Sequence, residues 1–342
     1  MYRLSGGLWE LSIKRLNVGF IGCGGIASTH AERLKVLKET HIVAFADVIE
    51  DRAKAMTVKY GGRWYRDWLE MLSKEALDIV YICLPPFAHT DEVMVAAEKG
   101  IHIFIEKPIA LDMKTAREMV RSIEKNGVKS QVGYNCRFGY AIEEAKRLVE
   151  RGEAGEVGLA LGIYWCHFIR KDWWIDKSKS GGQLVEQSTH LYDALRYICG
   201  DVETVYGLMN RKFWVDIPEM TIEDVSGALF KFKSGAIGAI TSTTWGANAQ
   251  WWFRWWIATR NYTLESRDVN TLTLYSTKPP TKVVTISEER DTYLLETKDL
   301  VRAILEDKET RTPIEEGAKT LELTLAAVKS AESGKPVTLP LD

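Results

Sequence analysis

A glycine-rich turn that joins a short apolar segment to a helix-forming segment is the feature that most constrains the fold. Val18–Ile21 is apolar, Gly22 and Gly24 follow it, and Ala27 comes three positions later. In a parallel sheet covered by helices, the first glycine allows the tight turn and the second lets the backbone approach a pyrophosphate. A small third residue allows close packing of the helix on the sheet. The segment therefore predicts a strand–turn–helix unit that binds a dinucleotide.

Asp47 supports this interpretation by its position. It lies 20 positions beyond the last small residue of the turn and ends a second apolar segment, Ile42–Ala46. An acid placed there accepts hydrogen bonds from the hydroxyls of an adenosine ribose. Gly25 and Ile26 would present N–H groups, at the positive end of the helix, to the pyrophosphate. Asp47 would repel a ribose 2′-phosphate, so NAD is favoured, although Arg52 leaves NADP open. A structural turn without a nucleotide is the alternative.

Composition narrows the class of protein. The chain has 342 residues, 46% hydrophobic and 27% charged, which is typical of a soluble globular protein with two ordinary domains. Its net charge of −2 argues against nucleic acid or a membrane surface as partner and favours a small molecule. Five cysteines without a Cys-x-x-Cys pair indicate reduced thiols and a cytoplasmic location. Residues 1–15 are too polar for a secretory signal and are interpreted as an N-terminal extension.

Residues 16–133 alternate short apolar segments with amphipathic ones. This alternation predicts an α/β domain with a doubly wound parallel sheet, a Rossmann domain for NAD(P). Asp112 is expected to cap a helix that ends at Asn126 and Gly127. The predicted strands are Val18–Ile21, Ile42–Ala46, Ile79–Cys83, Ile103–Ile105 and Ser130–Val132.

Residues 134–342 change to longer segments of alternating polarity, preceded by one helix over about 142–151. They predict an α+β domain, for substrate binding and oligomerisation, with a large and mainly antiparallel sheet. The predicted strands are Val157–Phe168, Val202–Lys212, Phe230–Lys233, Ala236–Thr244, Phe253–Ala258, Thr271–Tyr275 and Val283–Ile286, and two helices follow at about 293–306 and 314–333. Because large half-exposed sheets tend to be paired, a homodimer or homotetramer through this domain is expected.

A lysine follows the predicted strand Ile103–Ile105 within the sequence Glu106-Lys107-Pro108. The carboxyl ends of strands in open α/β sheets hold ligands beside the cofactor, so Lys107 is placed as a catalytic cation would be. Pro108 restricts the local backbone, and a cis peptide bond before it is a possible device. A surface lysine in a solvated turn is the alternative.

Segment 181–193 combines a Gly-Gly pair with two candidate catalytic side chains, Glu186 and His190. If residues 184–198 form one helix, these side chains lie one turn apart on the same face. Histidine suits proton exchange because its ordinary pKa is close to neutral pH. An ordinary helix pair is one alternative. A metal site on these two side chains is another, although no second ligand pair is evident.

These motifs together resemble those of the Gfo/Idh/MocA family of glucose–fructose oxidoreductase and inositol dehydrogenase. The resemblance rests on the nucleotide domain, the Glu-Lys-Pro sequence and the pattern Gly-Gly-x-Leu-x-acid-x-x-x-His-x-x-Asp, and it covers nearly the whole chain from about residue 16. It implies that Lys107 stabilises alkoxide character on the reacting oxygen and that His190 exchanges the hydroxyl proton. It also implies that Glu186 positions the substrate or orients His190. Well-known sugar and inositol dehydrogenases carry Asp at this position, so the longer Glu186 bears on substrate choice.

The resemblance extends to Pro85-x-x-x-His89 and to Tyr134-Asn135-Cys136-Arg137-Phe138 at the domain junction. No metal is implied. The implied cofactor contacts are Gly22, Gly24, Gly25, Ile26, Asp47, Arg52, Leu84, Pro85, His89, Glu106, Lys107 and Asn135, and the implied substrate contacts are Arg137, Trp165, Trp174, Glu186 and His190.

Twelve tryptophans favour a carbohydrate or cyclitol, because indole rings pack on the C–H faces of sugar rings. Those at 251–256 alternate along a strand and are interpreted as core or subunit interface. We therefore predict an NAD-dependent oxidoreductase that transfers hydride between nicotinamide and a secondary alcohol or ketone of a sugar, sugar derivative or cyclitol. A redox-neutral NAD-using glycosidase or lyase and a non-catalytic nucleotide-binding sensor are the alternatives. The presence of both Lys107 and His190 argues against the sensor.

Overall fold

The computed structural model describes residues 15–169 and 172–341. The predicted N-terminal extension therefore lies outside the described residues, except for Arg15. The described chain forms one six-stranded and one nine-stranded sheet with helices packed on them.

The first sheet is parallel throughout. Its strands are β1 (Leu16–Ile21), β2 (Thr40–Ala46), β3 (Arg63–Tyr65), β4 (Ile79–Ile82), β5 (His102–Ile105) and β6 (Ser130–Val132). The helices between them are α1 (Gly25–Lys35), α2 (Glu50–Tyr60), α3 (Trp68–Lys74), α4 (Glu92–Glu98) and α5 (Met113–Asn126). The strand order is β3-β2-β1-β4-β5-β6, so β2 and β3 are added on one side of β1, and β4, β5 and β6 are added on its other side. This order confirms the doubly wound Rossmann-type sheet.

Local sequence signals explain where the helices and turns of this sheet begin and end. The Asp112 side chain accepts a hydrogen bond from the Thr115 amide at the start of α5, and Gly127 ends that helix with φ at 63°. Gly22 turns the chain after β1 with φ at +88°, and a Cβ there would stand 2.5 Å from the carbonyl oxygen of Cys83. Only glycine fits this turn. The sequence analysis missed β3, which is three residues long and exposed at two of them.

The second sheet is mixed, and only the β7–β10 pair is parallel among its recorded strand pairs. Its strands are β7 (Val157–Cys166), β8 (Val202–Asn210), β9 (Val225–Phe232), β10 (Ile237–Thr243), β11 (Trp251–Thr259), β12 (Tyr262–Ser266), β13 (Thr271–Ser276), β14 (Val283–Ser287) and β15 (Val337–Thr338). The associated helices are α6 (Tyr140–Glu150), α7 (Lys177–Ser180), α8 (Gln183–Glu186), α9 (Thr189–Cys199), α10 (Thr292–Glu306) and α11 (Ile314–Ser333). The predicted large, mainly antiparallel sheet is confirmed.

The two faces of this sheet differ along β7. Gly162, Tyr164 and Cys166 are buried on one face, and a Cβ at Gly162 would press on Leu191 of α9. The alternate residues, including Leu161, project from the opposite face and remain partly or largely exposed. Helices therefore cover one face of the nine-stranded sheet, and the other is an open face.

Residues 184–198 do not form the one helix that was considered for them. The chain forms α8 and α9 with a break at Gln187 and Ser188, whose amides both donate to the carbonyl of Gln183. Ser188 Oγ also donates to the Leu184 carbonyl at 3.1 Å, and such local side-chain bonds compete with a continuous helix. At the start of α8, the buried Glu223 carboxylate accepts the Leu184 amide at 2.7 Å. This cap comes from a residue outside the predicted helix.

The last helices pack against both sheets. Leu300 and Val301 of α10 share a core cluster with Phe20 of β1 and Leu34 of α1. A Cβ at Gly317 of α11 would stand 2.6 Å from the Val132 side chain in β6, and α11 also packs on β8. The predicted domain boundary at residue 133 stays a prediction, since the chain after β14 returns to the nucleotide-binding sheet.

Candidate functional site

The glycine turn leaves open space where a pyrophosphate would lie. A Cβ at Gly24 or Gly25 would have no atom within 4 Å, while α1 begins at Gly25 with its N-terminus facing this space. Asp47 is half-buried at the end of β2, and its carboxylate accepts the amides of Cys23 and Ile49, both at 2.8 Å. The remaining lone pairs of a carboxylate held in this way can accept ribose hydroxyls. The residues therefore fit an adenine dinucleotide.

The other predicted cofactor residues lie around this edge of the sheet. Leu84 touches the glycine turn, because its side chain would stand 3.1 Å from a Cβ at Gly22. His89 is bound through Nδ1 to Glu92 Oε1 at 2.6 Å. Pro85 lies between Leu84 and a short 3₁₀ turn, and Arg52 is exposed on α2. The Asn135 side chain is half-buried and donates to Thr292 Oγ1 at 3.0 Å.

Glu106 lies under the lysine at the end of β5 and is held by a histidine that the sequence analysis missed. His30 Nε2 lies 2.8 Å from Glu106 Oε1, and both side chains are buried. Glu106 Oε2 accepts the Lys107 amide at 3.2 Å. A sequence signal existed, because His30 falls on the buried stripe of α1 with Ala27 and Leu34, where a histidine needs a buried partner.

Glu296 of α10 adds a second buried carboxyl behind Glu106. Neither of its side-chain oxygens has a hydrogen-bond partner among the described residues. Burial, reinforced by the negative charges of Glu106 and Asp299, raises the pKa of Glu296 well above its usual range. Glu296 is therefore neutral at pH values where an exposed glutamate is ionised.

We expect Glu296→Gln to increase stability relative to the natural protein, and the gain to grow with pH. Because the folded-state pKa of Glu296 is raised, the natural protein keeps its full free energy of unfolding below the unfolded-state pKa of about 4.3. Part of that free energy is lost as the pH rises towards the folded-state pKa. The loss reaches up to about 1.4 kcal/mol per pH unit in that window. Denaturant unfolding at about pH 5 and pH 8 measures the difference in free energy of unfolding between the two proteins.

Glu98→Gln is the matched control, because Glu98 is exposed on α4. Its difference from the natural protein should be the same at both pH values. A Glu296→Gln difference that does not grow between the two pH values would contradict the prediction.

Lys107, which follows β5, is in direct contact with Glu186 at the end of α8. Lys107 Nζ donates to Glu186 Oε1 at 3.1 Å and to the Glu186 carbonyl oxygen at 2.8 Å. Glu186 Oε2 accepts the indole N–H of Trp174 at 2.5 Å. The Lys107 and Glu186 side chains are 13% and 15% exposed, so part of each remains in contact with solvent. The peptide bond between Lys107 and Pro108 is cis.

His190 lies near the Lys107 charge on the first turn of α9. Burial, together with the positive charge of Lys107, lowers the pKa of His190 well below its usual range. Its ring packs edge-on against Tyr134 at 6.1 Å, and its buried Nδ1 has no hydrogen-bond partner among the described residues. A neutral imidazole therefore lies near the ammonium of Lys107, and one of its ring nitrogens can accept a hydrogen bond.

Two predicted substrate residues have their contacts outside the group formed by Lys107, Glu186 and His190. Arg137 is 1% exposed, and its guanidinium donates to both carboxylate oxygens of Asp193 at 2.7 and 2.6 Å. Trp165 projects from the open face of the nine-stranded sheet, opposite to Cys166, and stacks on Trp252 at 5.7 Å between ring centroids. Both residues are held by tertiary partners, Asp193 and Trp252, that the sequence does not reveal.

Two absences are recorded for the parts of the chain that the structure describes. In residues 15–169 and 172–341, no three His, Cys, Asp or Glu side chains group as metal ligands would. No helix in these ranges combines the length and apolar character needed to cross a bilayer.

Comparison with known proteins identifies the family. Residues 16–134 match the model described as "Oxidoreductase family, NAD-binding Rossmann fold". Residues 142–265 and 258–339 match two models of the C-terminal domain of the same family.

Individual relatives of the chain support the same family. The chain is 30% identical over 237 residues to myo-inositol 2-dehydrogenase of Thermotoga maritima, covering 67% of this chain and 68% of that one. It is 30% identical over 233 residues to scyllo-inositol 2-dehydrogenase (NAD(+)) of Bacillus subtilis, covering 65% and 66%. A solved levoglucosan dehydrogenase, in complex with NADH and levoglucosan, shares the fold with a TM-score of 0.89 at 20% identity, covering 96% of this chain and all of the other. The chain belongs to the Gfo/Idh/MocA family of NAD-binding oxidoreductases.

Proposed function

We propose that this enzyme transfers hydride between NAD and a secondary alcohol or ketone of a sugar, sugar derivative or cyclitol. The observation that carries the proposal is the contact between Lys107 and Glu186 beside the neutral His190, at the carboxyl end of β5. Inositol dehydrogenases among the relatives support the substrate class.

Each side chain has a distinct part in the proposed reaction. The Lys107 ammonium donates a hydrogen bond to the substrate oxygen and stabilises the negative charge that develops there. His190 accepts the hydroxyl proton during oxidation and returns it during reduction. Glu186 orients Lys107 and can accept a neighbouring hydroxyl of the substrate. NAD, when bound, accepts or returns the hydride.

NAD is the preferred cofactor in this proposal. An acidic side chain at the end of the second strand, as Asp47 is, would repel a ribose 2′-phosphate. Arg52 is exposed on α2, and the Asp47 hydrogen bonds described above come from the amides of Cys23 and Ile49. We expect the Kd for NAD to be lower than that for NADP, which titration of the tryptophan fluorescence with each cofactor measures.

The deciding experiment is the absorbance at 340 nm of purified protein with NAD and a panel of monosaccharides, sugar acids, nucleotide sugars and inositols. A strong signal with one subclass supports the dehydrogenase and identifies its substrate class. Product formation without NADH would indicate a redox-neutral glycosidase or lyase. Bound NAD without any product would indicate a nucleotide-binding sensor.

We also propose that the chain forms a homodimer through the open face of the nine-stranded sheet. On that face Leu161, Leu229 and Leu208 are 40%, 54% and 59% exposed. They lie on β7, β9 and β8, and β10 runs between β7 and β9. Leu161 and Leu229 are both paired with Ala239 of β10, and Leu208 is paired with Gly227, two residues before Leu229. A second copy would bury this apolar surface, whereas a homotetramer needs a further contact.

Leu229→Glu is expected to convert the dimer to a monomer, because it places a charge in the centre of the open face. Sedimentation velocity measures the mass in solution. Val58→Glu is the control, since Val58 is 90% exposed on α2, away from that face. A monomeric natural protein, or a Leu229→Glu variant of unchanged mass, would contradict the dimer.

A further inference from the structure

Trp174 is buried in the structure and has no free ring face for a sugar. It lies in a 3₁₀ turn, Trp173–Ile175, and is 2% exposed. Its side chain belongs to a small apolar cluster with Ile175, Met220 and Ile222. A stacking platform needs an accessible ring, so the predicted role of Trp174 as a direct substrate contact does not follow from this geometry.

The polar edge of Trp174 instead reaches the catalytic group. Its indole N–H donates to Glu186 Oε2 at 2.5 Å, while Glu186 Oε1 accepts Lys107 Nζ at 3.1 Å. One carboxylate therefore joins an indole on the loop after β7 to the ammonium at the end of β5. Hydrogen bonds to an ionised carboxylate in a largely buried site are stronger than bonds between neutral groups.

The length of the Glu186 side chain suits this bridge. An aspartate at the same position would place its carboxylate about 1.5 Å closer to the backbone, which is one C–C bond. From there it could not keep both contacts in their present geometry. The glutamate and the tryptophan are therefore a matched pair.

We propose that Trp174 is a positioning residue that fixes the Glu186 carboxylate and, through it, the ammonium of Lys107. The inference rests on the proposed hydride transfer. Without the indole N–H, Glu186 can turn away and Lys107 loses its alignment with the substrate oxygen. Misplacement of a catalytic group by about 1 Å lowers turnover strongly, because reaction requires a defined approach.

Trp174→Phe tests this by removing the N–H donor while keeping an aromatic side chain in the cluster. We expect kcat to fall about ten- to a hundredfold, with the Kd for NAD and the thermal midpoint nearly unchanged. Trp214→Phe is the matched control, because Trp214 packs against the same cluster and its indole N–H donates to Thr244 Oγ1 at 3.0 Å. The control should keep the kcat of the natural protein.

A double-mutant comparison separates positioning from packing. In a Glu186→Asp background the bridge is already broken, so Trp174→Phe should change kcat less than about twofold. If Trp174→Phe lowers kcat equally in both backgrounds, its effect is structural and the inference fails. An unchanged kcat for Trp174→Phe alone would also overturn it.

The hydrogen bond from Trp174 to Glu186 can be measured without substrate, and this measurement tests the inference separately from the proposed function. In a ¹H–¹⁵N spectrum of the indole N–H groups, the peak missing from Trp174→Phe belongs to Trp174. We expect that peak to move upfield in Glu186→Ala, while the Trp214 peak stays in place. A Trp174 peak that is unmoved in Glu186→Ala would overturn the bridge. Failure of the natural protein to turn over any substrate would instead count against the proposed function and would not alter this spectrum.

Discussion

Lys107→Met is expected to lower kcat by about 10²- to 10⁴-fold, with little change in the Kd for NAD. Methionine retains an unbranched stem but removes the ammonium that donates to Glu186 and, in the proposed reaction, to the substrate oxygen. The loss falls mainly on kcat because the charge on that oxygen develops in the transition state. Steady-state absorbance at 340 nm and fluorescence titration with NAD give the two quantities.

The matched control is Lys114→Met, since Lys114 is exposed on α5. This variant should retain the kcat of the natural protein. If Lys107→Met keeps more than about a tenth of kcat, the assignment of Lys107 to the reacting oxygen is wrong.

Arg137→Met is expected to be the most destabilising of the substitutions considered, by about 3–5 kcal/mol. The guanidinium is 1% exposed, donates twice to Asp193 and also donates to the Arg311 carbonyl at 3.0 Å. Its removal leaves the Asp193 carboxylate buried with only the Thr320 hydroxyl, at 2.8 Å, among its recorded partners. Denaturant unfolding monitored by circular dichroism measures the loss.

Arg302→Met provides the comparison. Arg302 lies on α10 with its side chain 70% exposed, so its replacement should change the free energy of unfolding by less than about 0.5 kcal/mol. Adding Asp193→Leu to Arg137→Met removes the unpaired carboxylate and should recover part of the loss. An Arg137→Met variant within about 1 kcal/mol of the natural protein would show that the ion pair is not needed for stability.

Elements with strong local signals could be predicted from the sequence. Ser130–Val132 and Ile314–Ser333 have the predicted bounds, the latter because Pro313 and Gly334 flank the helix. The strand β12 was missed because it is short and only two of its five residues, Tyr262 and Leu264, are apolar, which is too weak a pattern to indicate a strand.

Two predicted substrate residues, Arg137 and Trp165, lie where tertiary partners hold them. Arg137 pairs with Asp193, 56 positions away, and nothing between them in the sequence signals the ion pair. The alternation along β7 separates Trp165 from Cys166, but it does not reveal which face the helices cover. The break between α8 and α9 likewise involves Glu223, which reaches the helix from 39 positions away. By contrast, Lys107 and Glu186 are in contact, and the resemblance had implied that both lie at the substrate.

The packing of the last helices on both sheets bears on how the two sheets are joined. The chain crosses between the sheets after β6 and again before α10, and α11 is wedged between β6 and β8. At the first crossing a Cβ on Gly139 would stand 2.3 Å from the Val269 carbonyl oxygen, and at α11 one on Gly317 would stand 2.6 Å from Val132. These contacts leave no room for a side chain, so glycine lets the chain pack this closely at both places. Larger residues at these glycines would therefore disturb the packing that joins the two sheets, although both positions lie outside the group formed by Lys107, Glu186 and His190.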